Sequence, residues 1–232
     1  GVRANKNYAN MKISPTSSYY NDYTVQSEGM ISNALNLFDG YYLLSTGGYI
    51  SSRDADETGV TSSAQYGRLE SASVKNSGKS TDIVFKCSLS PAYNGEITDD
   101  GLFILTLYDV EPKSAPEPVI AKNPLIASCE SVTTGAKSVK YTFRLRNVEN
   151  FYGYDMTYSD GGCTVSLRNP ITLDKNRTLP LEGLNIVLDA GHGGEDRGAA
   201  GAVGYADCAK HEKQLNLAVT EAAAVKLRDM GA

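Results

Sequence analysis

Nothing in the first 180 residues repeats with the spacing of a helix, and that constrains the fold more than any other feature of the chain. What recurs instead is short runs of β-branched and aromatic residues cut by glycine, proline, asparagine and aspartate, the texture of many short strands. The segment FDGYYLLSTGGYISSRDADE shows it best. It predicts a turn at Asp39–Gly40, a strand from Tyr41 to Ser45, a hairpin at Gly47–Gly48 and a second strand from Tyr49 to Ser51. The polar stretch from Ser52 to Ser63 then reads as a linker. Further on, Ile83–Phe85, Leu102–Val110, Val139–Leu145, Tyr152–Tyr158 and Thr164–Leu167 read as strands. Tyr141, Phe143 and Leu145 alternate with Thr142 and Arg144, so one face is apolar. The prolines of VEPKSAPEPVIAKNP suit an edge or a crossover loop and exclude a central strand. Residues 1–57 thus form one small β module and residues 64–173 a β-sandwich.

The texture changes after DKNRTLPLEG. Ile186, Val187 and Leu188 make a continuous apolar run, which predicts a strand covered on both faces. A glycine loop follows. From Glu212 to Met230 the pattern is helical, with Leu215, Ala218, Ala222 and Val225 on one stripe and Leu217, Ala224 and Leu227 beside it. Arg228 and Gly231 suit the end of that helix, with a left-handed cap. Strand, glycine loop and helix predict the beginning of an α/β domain over residues 184–232. The expected fold class is therefore multi-domain, all-β at the N-terminus and α/β at the C-terminus.

With 232 residues the chain is long enough for two or three modest domains, and 41% hydrophobic with 21% charged residues is ordinary for a globular protein. Lys and Arg total 22 against 27 acidic residues, a net charge of −5 without a basic cluster, which argues against a nucleic-acid partner. No apolar run is long enough for a membrane span. Gly1 is followed by no signal-peptide pattern, so any secretion signal is expected to have been removed or to lie outside this sequence. Cys87, Cys129, Cys163 and Cys208 form no CxxC pair, so a cysteine-type structural zinc site is not expected. In an oxidising setting they allow three disulfide connectivities; the plainer reading is buried small hydrophobes. Among the 15 tyrosines, Tyr19, Tyr20, Tyr41, Tyr42 and Tyr49 are candidates for stacking on sugars or peptides, and equally for packing a small barrel.

The loop LNIVLDAGHGGEDRGAAG, residues 184–201, carries the chemistry. A dinucleotide pattern counted from Gly191 needs glycine at 196, where aspartate stands. A phosphate loop needs a Gly-Lys-Ser/Thr run, and no lysine occurs between 184 and 209. Metal binding fits better. His192 follows the predicted strand, and Gly191, Gly193 and Gly194 let the backbone turn and leave space around the imidazole. Glu212, at the helix start, is placed to bring a carboxylate to the same rim. A catalytic zinc site uses three protein ligands and one water, so these would be two of the three.

The two segments LNIVLDAGHGGEDRGAAG and HEKQLNLAVTEAAAVKLRDMGA closely resemble the start of the zinc-dependent N-acetylmuramoyl-L-alanine amidases. The matching residues are Asp189, Gly191, His192, Gly193 and Gly194, then Glu212, Lys213, Asn216 and Leu217. Ala190 stands where that family usually has proline. The resemblance implies that His192 and Glu212 are zinc ligands, and that the activity is hydrolysis of the amide between muramic acid and L-alanine in peptidoglycan. It also implies that the third ligand and the catalytic glutamate lie downstream of residue 232. This chain by itself is then expected to be the truncated start of the amidase domain, inactive, in a secreted, cell-wall-associated protein. The other reading is a non-catalytic cell-wall-binding protein with a remnant of the hydrolase. His211 stands beside Glu212 as a competing ligand, Asp189 as a residue orienting the loop or supporting a ligand, and Asn216 as one that reaches the site or merely packs. The run GYYLLSTGGYI is similar to bacterial SH3-like modules, and residues 64–173 loosely resemble AMIN-type β domains. Both imply attachment to the cell-wall polymer.

Overall fold

A computed structural model describes residues 1–59, 64–111, 115–135, 137–171, 173, 176–200 and 211–232. The chain divides into two compact units, residues 1–170 and 171–232. The first unit begins with eight short strands: β1 (Val2–Ala4), β2 (Ala9–Lys12), β3 (Asp22–Gln26), β4 (Ile31–Ser32), β5 (Ala34–Phe38), β6 (Tyr41–Leu44), β7 (Tyr49–Ser51) and β8 (Ala55–Glu57). Nine more follow: β9 (Leu69–Asn76), β10 (Ser80–Cys87), β11 (Tyr93–Ile97), β12 (Leu102–Tyr108), β13 (Val119–Ile120), β14 (Ile126–Thr134), β15 (Ser138–Leu145), β16 (Tyr154–Ser159) and β17 (Gly162–Arg168). They build four sheets, ordered β4-β1-β8, β3-β2-β7-β6-β5, β13-β9-β10-β17-β16 and β11-β12-β15-β14.

Side-chain alternation puts one face of each long strand inside. In β12 and β15 the register places Phe103 opposite Phe143, Leu105 opposite Tyr141 and Leu107 opposite Val139, all buried. Facing them across one core lie Val74, Ile83, Phe85, Val165 and Leu167 from the β9-β10-β17 sheet. Each large side chain so buried contributes about 1.5–3 kcal/mol. A second, smaller core gathers Val2, Ala4, Ala9, Met11, Met30, Leu44, Ile50, Ala55 and Ala92 between the first two sheets. The turn at Asp39–Gly40 joins β5 to β6 with φ of 46° and 80°, the left-handed pair that a tight two-residue hairpin requires. Val119–Ile120, from the proline-rich segment, lies at a sheet edge and pairs parallel with β9.

Polar bonds join the two cores into one unit. The Gln26 amide reads the Tyr93 backbone twice, Nε2 donating to its carbonyl at 2.8 Å and Oε1 accepting from its N–H at 3.2 Å. The buried Asp109 carboxylate accepts from Ser32 Oγ, Ser45 Oγ and the Asn33 N–H.

The predicted fold class needs correction. The molecule is nearly all β, and its one long helix among the described residues is α1 (Glu212–Asp229). The first zone is not one barrel; its strands divide between separate sheets of three and five. Nor does an α/β domain begin at residue 184. Ile186–Leu188 forms no strand, and Val187 is 90% exposed. An apolar run becomes a covered strand only when neighbouring strands take its backbone hydrogen bonds and helices cover its faces. Among the described residues no strand pairs with it.

In the second unit α1 has no buried side chain. It ends as its sequence predicts: Gly231 takes φ 98°, its N–H bonds the Arg228 carbonyl, and the Ala232 N–H bonds that of Leu227. This Schellman pattern satisfies the last carbonyls. The Leu181 N–H, from the turn before the glycine loop, bonds the Met230 carbonyl at 2.9 Å.

Candidate metal centre

The glycine loop is folded onto the N-terminus of α1 by main-chain bonds. Glu212 N–H donates to the Ala199 carbonyl at 2.9 Å, and Lys213 N–H to that of Arg197 at 3.3 Å. Two side chains of the first helical turns then grip the loop. Lys213 Nζ donates to the Gly194 carbonyl at 2.7 Å, and Asn216 Nδ2 to that of Gly191 at 3.0 Å. Asn216, expected either to reach the site or merely to pack, holds the glycine loop instead.

Between these clamps lies His192, held in the left-handed region at φ 65°. A non-glycine residue there is strained, and such strain concentrates at functional positions. Its Nε2 stands 3.2 Å from Glu212 Oε2, and its Nδ1 stands 2.8 Å from Asp196 Oδ2. The two residues predicted from sequence as metal ligands are therefore brought together. Gly198, at φ +63°, makes this possible, because a Cβ there would lie 2.6 Å from His192 Cδ2 and 2.8 Å from Glu212 Oε2.

The electrostatics follow from the order carboxylate, imidazole, carboxylate. The hydrogen bond to Asp196, and the Glu212 carboxylate on the other side, raise His192 above the ordinary histidine range. The His192 bond and the Gly198 N–H hold Asp196 below the usual carboxylate range. The Ala199 N–H, bonded at 2.9 Å to Oε2, and the neighbouring imidazole do the same for Glu212. Both acids are thus kept ionised as acceptors.

These residues fit part of a zinc centre. Zinc bonds of about 2.0–2.1 Å at tetrahedral angles put neighbouring ligand atoms roughly 3.3 Å apart, close to the His192–Glu212 separation. Asp196 cannot be the third ligand beside them, because it bonds the opposite ring nitrogen. Among the described residues no group of three His, Cys, Asp or Glu side chains is placed to hold one ion.

The other sequence candidates lie elsewhere. His211 precedes α1; its N–H donates to Gln214 Oε1 at 3.1 Å, and its Nδ1 is buried without a partner among the described residues. Asp189 is exposed, and the carboxylate that supports His192 is Asp196 instead. Tyr19 and Tyr20 are exposed with ring centroids 4.1 Å apart, whereas Tyr41, Tyr42 and Tyr49 are half-buried in hairpin strands. Cys87 and Cys163 are buried free thiols, Cys129 is half-buried, and Cys208 lies outside the described residues. Asp196 and Gly198 are not singled out by the sequence, where aspartate at 196 served only to break a dinucleotide pattern. A tight turn that returns a carboxylate to the histidine's Nδ1 is the signal that identifies it.

No protein-family model matches the chain. A stretch of 53 residues is 47% identical to Uncharacterized protein YqiI of Bacillus subtilis (strain 168). That stretch covers 23% of this chain and 23% of the relative. Among the described residues no helix is long and apolar enough to cross a membrane.

Proposed function

We propose that the segment around His192 and Glu212 is the zinc-binding part of a peptidoglycan hydrolase that cleaves the amide between N-acetylmuramic acid and the L-alanine of the stem peptide. The observation that carries this reading is the approach of His192 Nε2 to Glu212 Oε2 at 3.2 Å, with Nδ1 already engaged by Asp196. His192 Nε2 and one Glu212 oxygen would hold the ion. Zinc held there supplies Lewis-acid polarisation of an amide carbonyl and acidification of water. The chain's own residues do the rest of what is described. Asp196 orients the imidazole, the Ala199 N–H keeps Glu212 ionised and aimed, and Lys213 and Asn216 hold the loop against the helix. A third ligand and a general base complete the reaction and are not assigned to described residues.

The β unit supplies attachment to the cell-wall polymer in this reading, outside the cytoplasm. The exposed Tyr19–Tyr20 pair offers aromatic surface to sugar rings. Zinc content and zinc affinity of the purified protein test the proposal, together with the release of stem peptides bearing a free L-alanine amine from purified sacculi. His192→Ala and Glu212→Ala should each lower zinc affinity at least tenfold. Zinc binding unchanged in both variants overturns it.

A further inference from the structure

We infer that Asp196 is the positioning residue of this centre: its carboxylate accepts the hydrogen bond from Nδ1–H of His192 and thereby presents Nε2, beside Glu212, as the metal-binding atom. The inference rests on the zinc reading of His192 and Glu212 and adds a residue to it.

Three observations carry it. The contact is direct, 2.8 Å from Asp196 Oδ2 to Nδ1, on the ring edge opposite Glu212. The carboxylate is itself fixed, since its second oxygen accepts from the Gly198 N–H at 3.0 Å. The backbone beneath it is fixed too. Gly193 N–H donates to the Asp196 carbonyl at 3.0 Å, and Asp196 N–H to the Gly193 carbonyl at 2.9 Å. Asp196 is therefore held by main-chain bonds on one side of the imidazole and cannot swing to Nε2. An imidazole has one proton to place when neutral, and the group bonded to one nitrogen decides which nitrogen is free for a metal. Carboxylates in this role also raise the basicity of the ligating nitrogen, and their loss typically costs 10–100-fold in metal affinity.

The test titrates the intact protein with zinc chloride against a chromophoric chelator. Long-range proton–nitrogen spectra report the His192 tautomer before and after metal is added. Asp196→Ala should lower zinc affinity 10–100-fold and populate both neutral tautomers in the metal-free protein. Asp196→Asn has one oxygen for two bonds; with that oxygen on the Gly198 N–H its amide donates to Nδ1, so the variant should move the proton to Nε2 and lose at least as much affinity as Asp196→Ala. Asp189→Ala should change neither quantity. If Asp196→Ala and Asp196→Asn both keep wild-type affinity and tautomer while His192→Ala and Glu212→Ala lose zinc, the positioning role is wrong and the zinc reading stands. If His192→Ala and Glu212→Ala also bind zinc like the wild type, both are wrong.

Discussion

The Ser45 hydroxyl donates to the Asp109 carboxylate at 2.6 Å, joining the loop after β6 to a buried acid that follows β12. Asp109 also accepts from Ser32 Oγ at 2.7 Å and the Asn33 N–H at 3.1 Å, and it does so from a left-handed backbone, φ 54°. Removing the acceptor leaves three donors without it, the buried Ser32 hydroxyl among them. Asp109→Ala should destabilise the unit by about 2–4 kcal/mol in urea unfolding. Asp109→Asn, which tolerates the left-handed region and keeps one oxygen, should cost less. An unchanged midpoint for the alanine variant would show that the two cores do not depend on this node.

Gly198→Ala should disturb the proposed centre without replacing His192 or Glu212. Its Cβ meets His192 Cδ2 and Glu212 Oε2 well inside contact distance, at a φ that L-residues avoid. The loop must retreat from α1, and zinc affinity should fall at least tenfold while the helical circular dichroism stays constant. Wild-type affinity in this variant would contradict the observed closeness of the two groups.

Cys87 and Cys163 should resist iodoacetamide in the folded protein at about pH 8, where an ordinary exposed thiol reacts. Burial pushes both thiols up, Cys163 to about 12. Peptide mapping after brief alkylation, with and without denaturant, reads this directly. Rapid labelling of either thiol without denaturant would mean that its strand opens.

The same burial sets an alkaline limit. The Cys163 thiol and the Tyr154 phenol are each pushed up to about 12, whereas in the unfolded chain they titrate near 9 and 10. Above about pH 9 the unfolded chain loses these protons first, so stability is full below that value and falls as pH rises toward 12. Each group contributes a slope of about 1.4 kcal/mol per pH unit inside its window. Urea midpoints measured from about pH 8 to 11 should decline, and less steeply in Cys163→Ala. A flat profile would contradict the burial of these groups.

Local features were legible in the sequence and distant partnerships were not. The Asp39–Gly40 hairpin, the inward set Tyr141, Phe143 and Leu145, and the helix from Glu212 with its Gly231 cap each depend on a few neighbouring residues. Whether Ile186–Leu188 becomes a strand depends on partners elsewhere, which an apolar run does not reveal. The division of the first zone into two sheets, and the Gln26–Tyr93 and Asp109 bonds between cores, are likewise long-range. That His192 and Glu212 come together was expected from their two motifs. Asp196 escaped because its value lies in the turn that brings it back to Nδ1.

That turn has a mechanical consequence. Imidazole and supporting acid ride on one short loop knotted by two main-chain bonds, while the opposing acid rides on a helix. When the loop shifts, the first pair travels together like a hand and its wrist, and what changes is the gap to Glu212. If zinc sits there, the width of its seat depends on that one gap, which the Lys213 and Asn216 bonds to the loop hold closed.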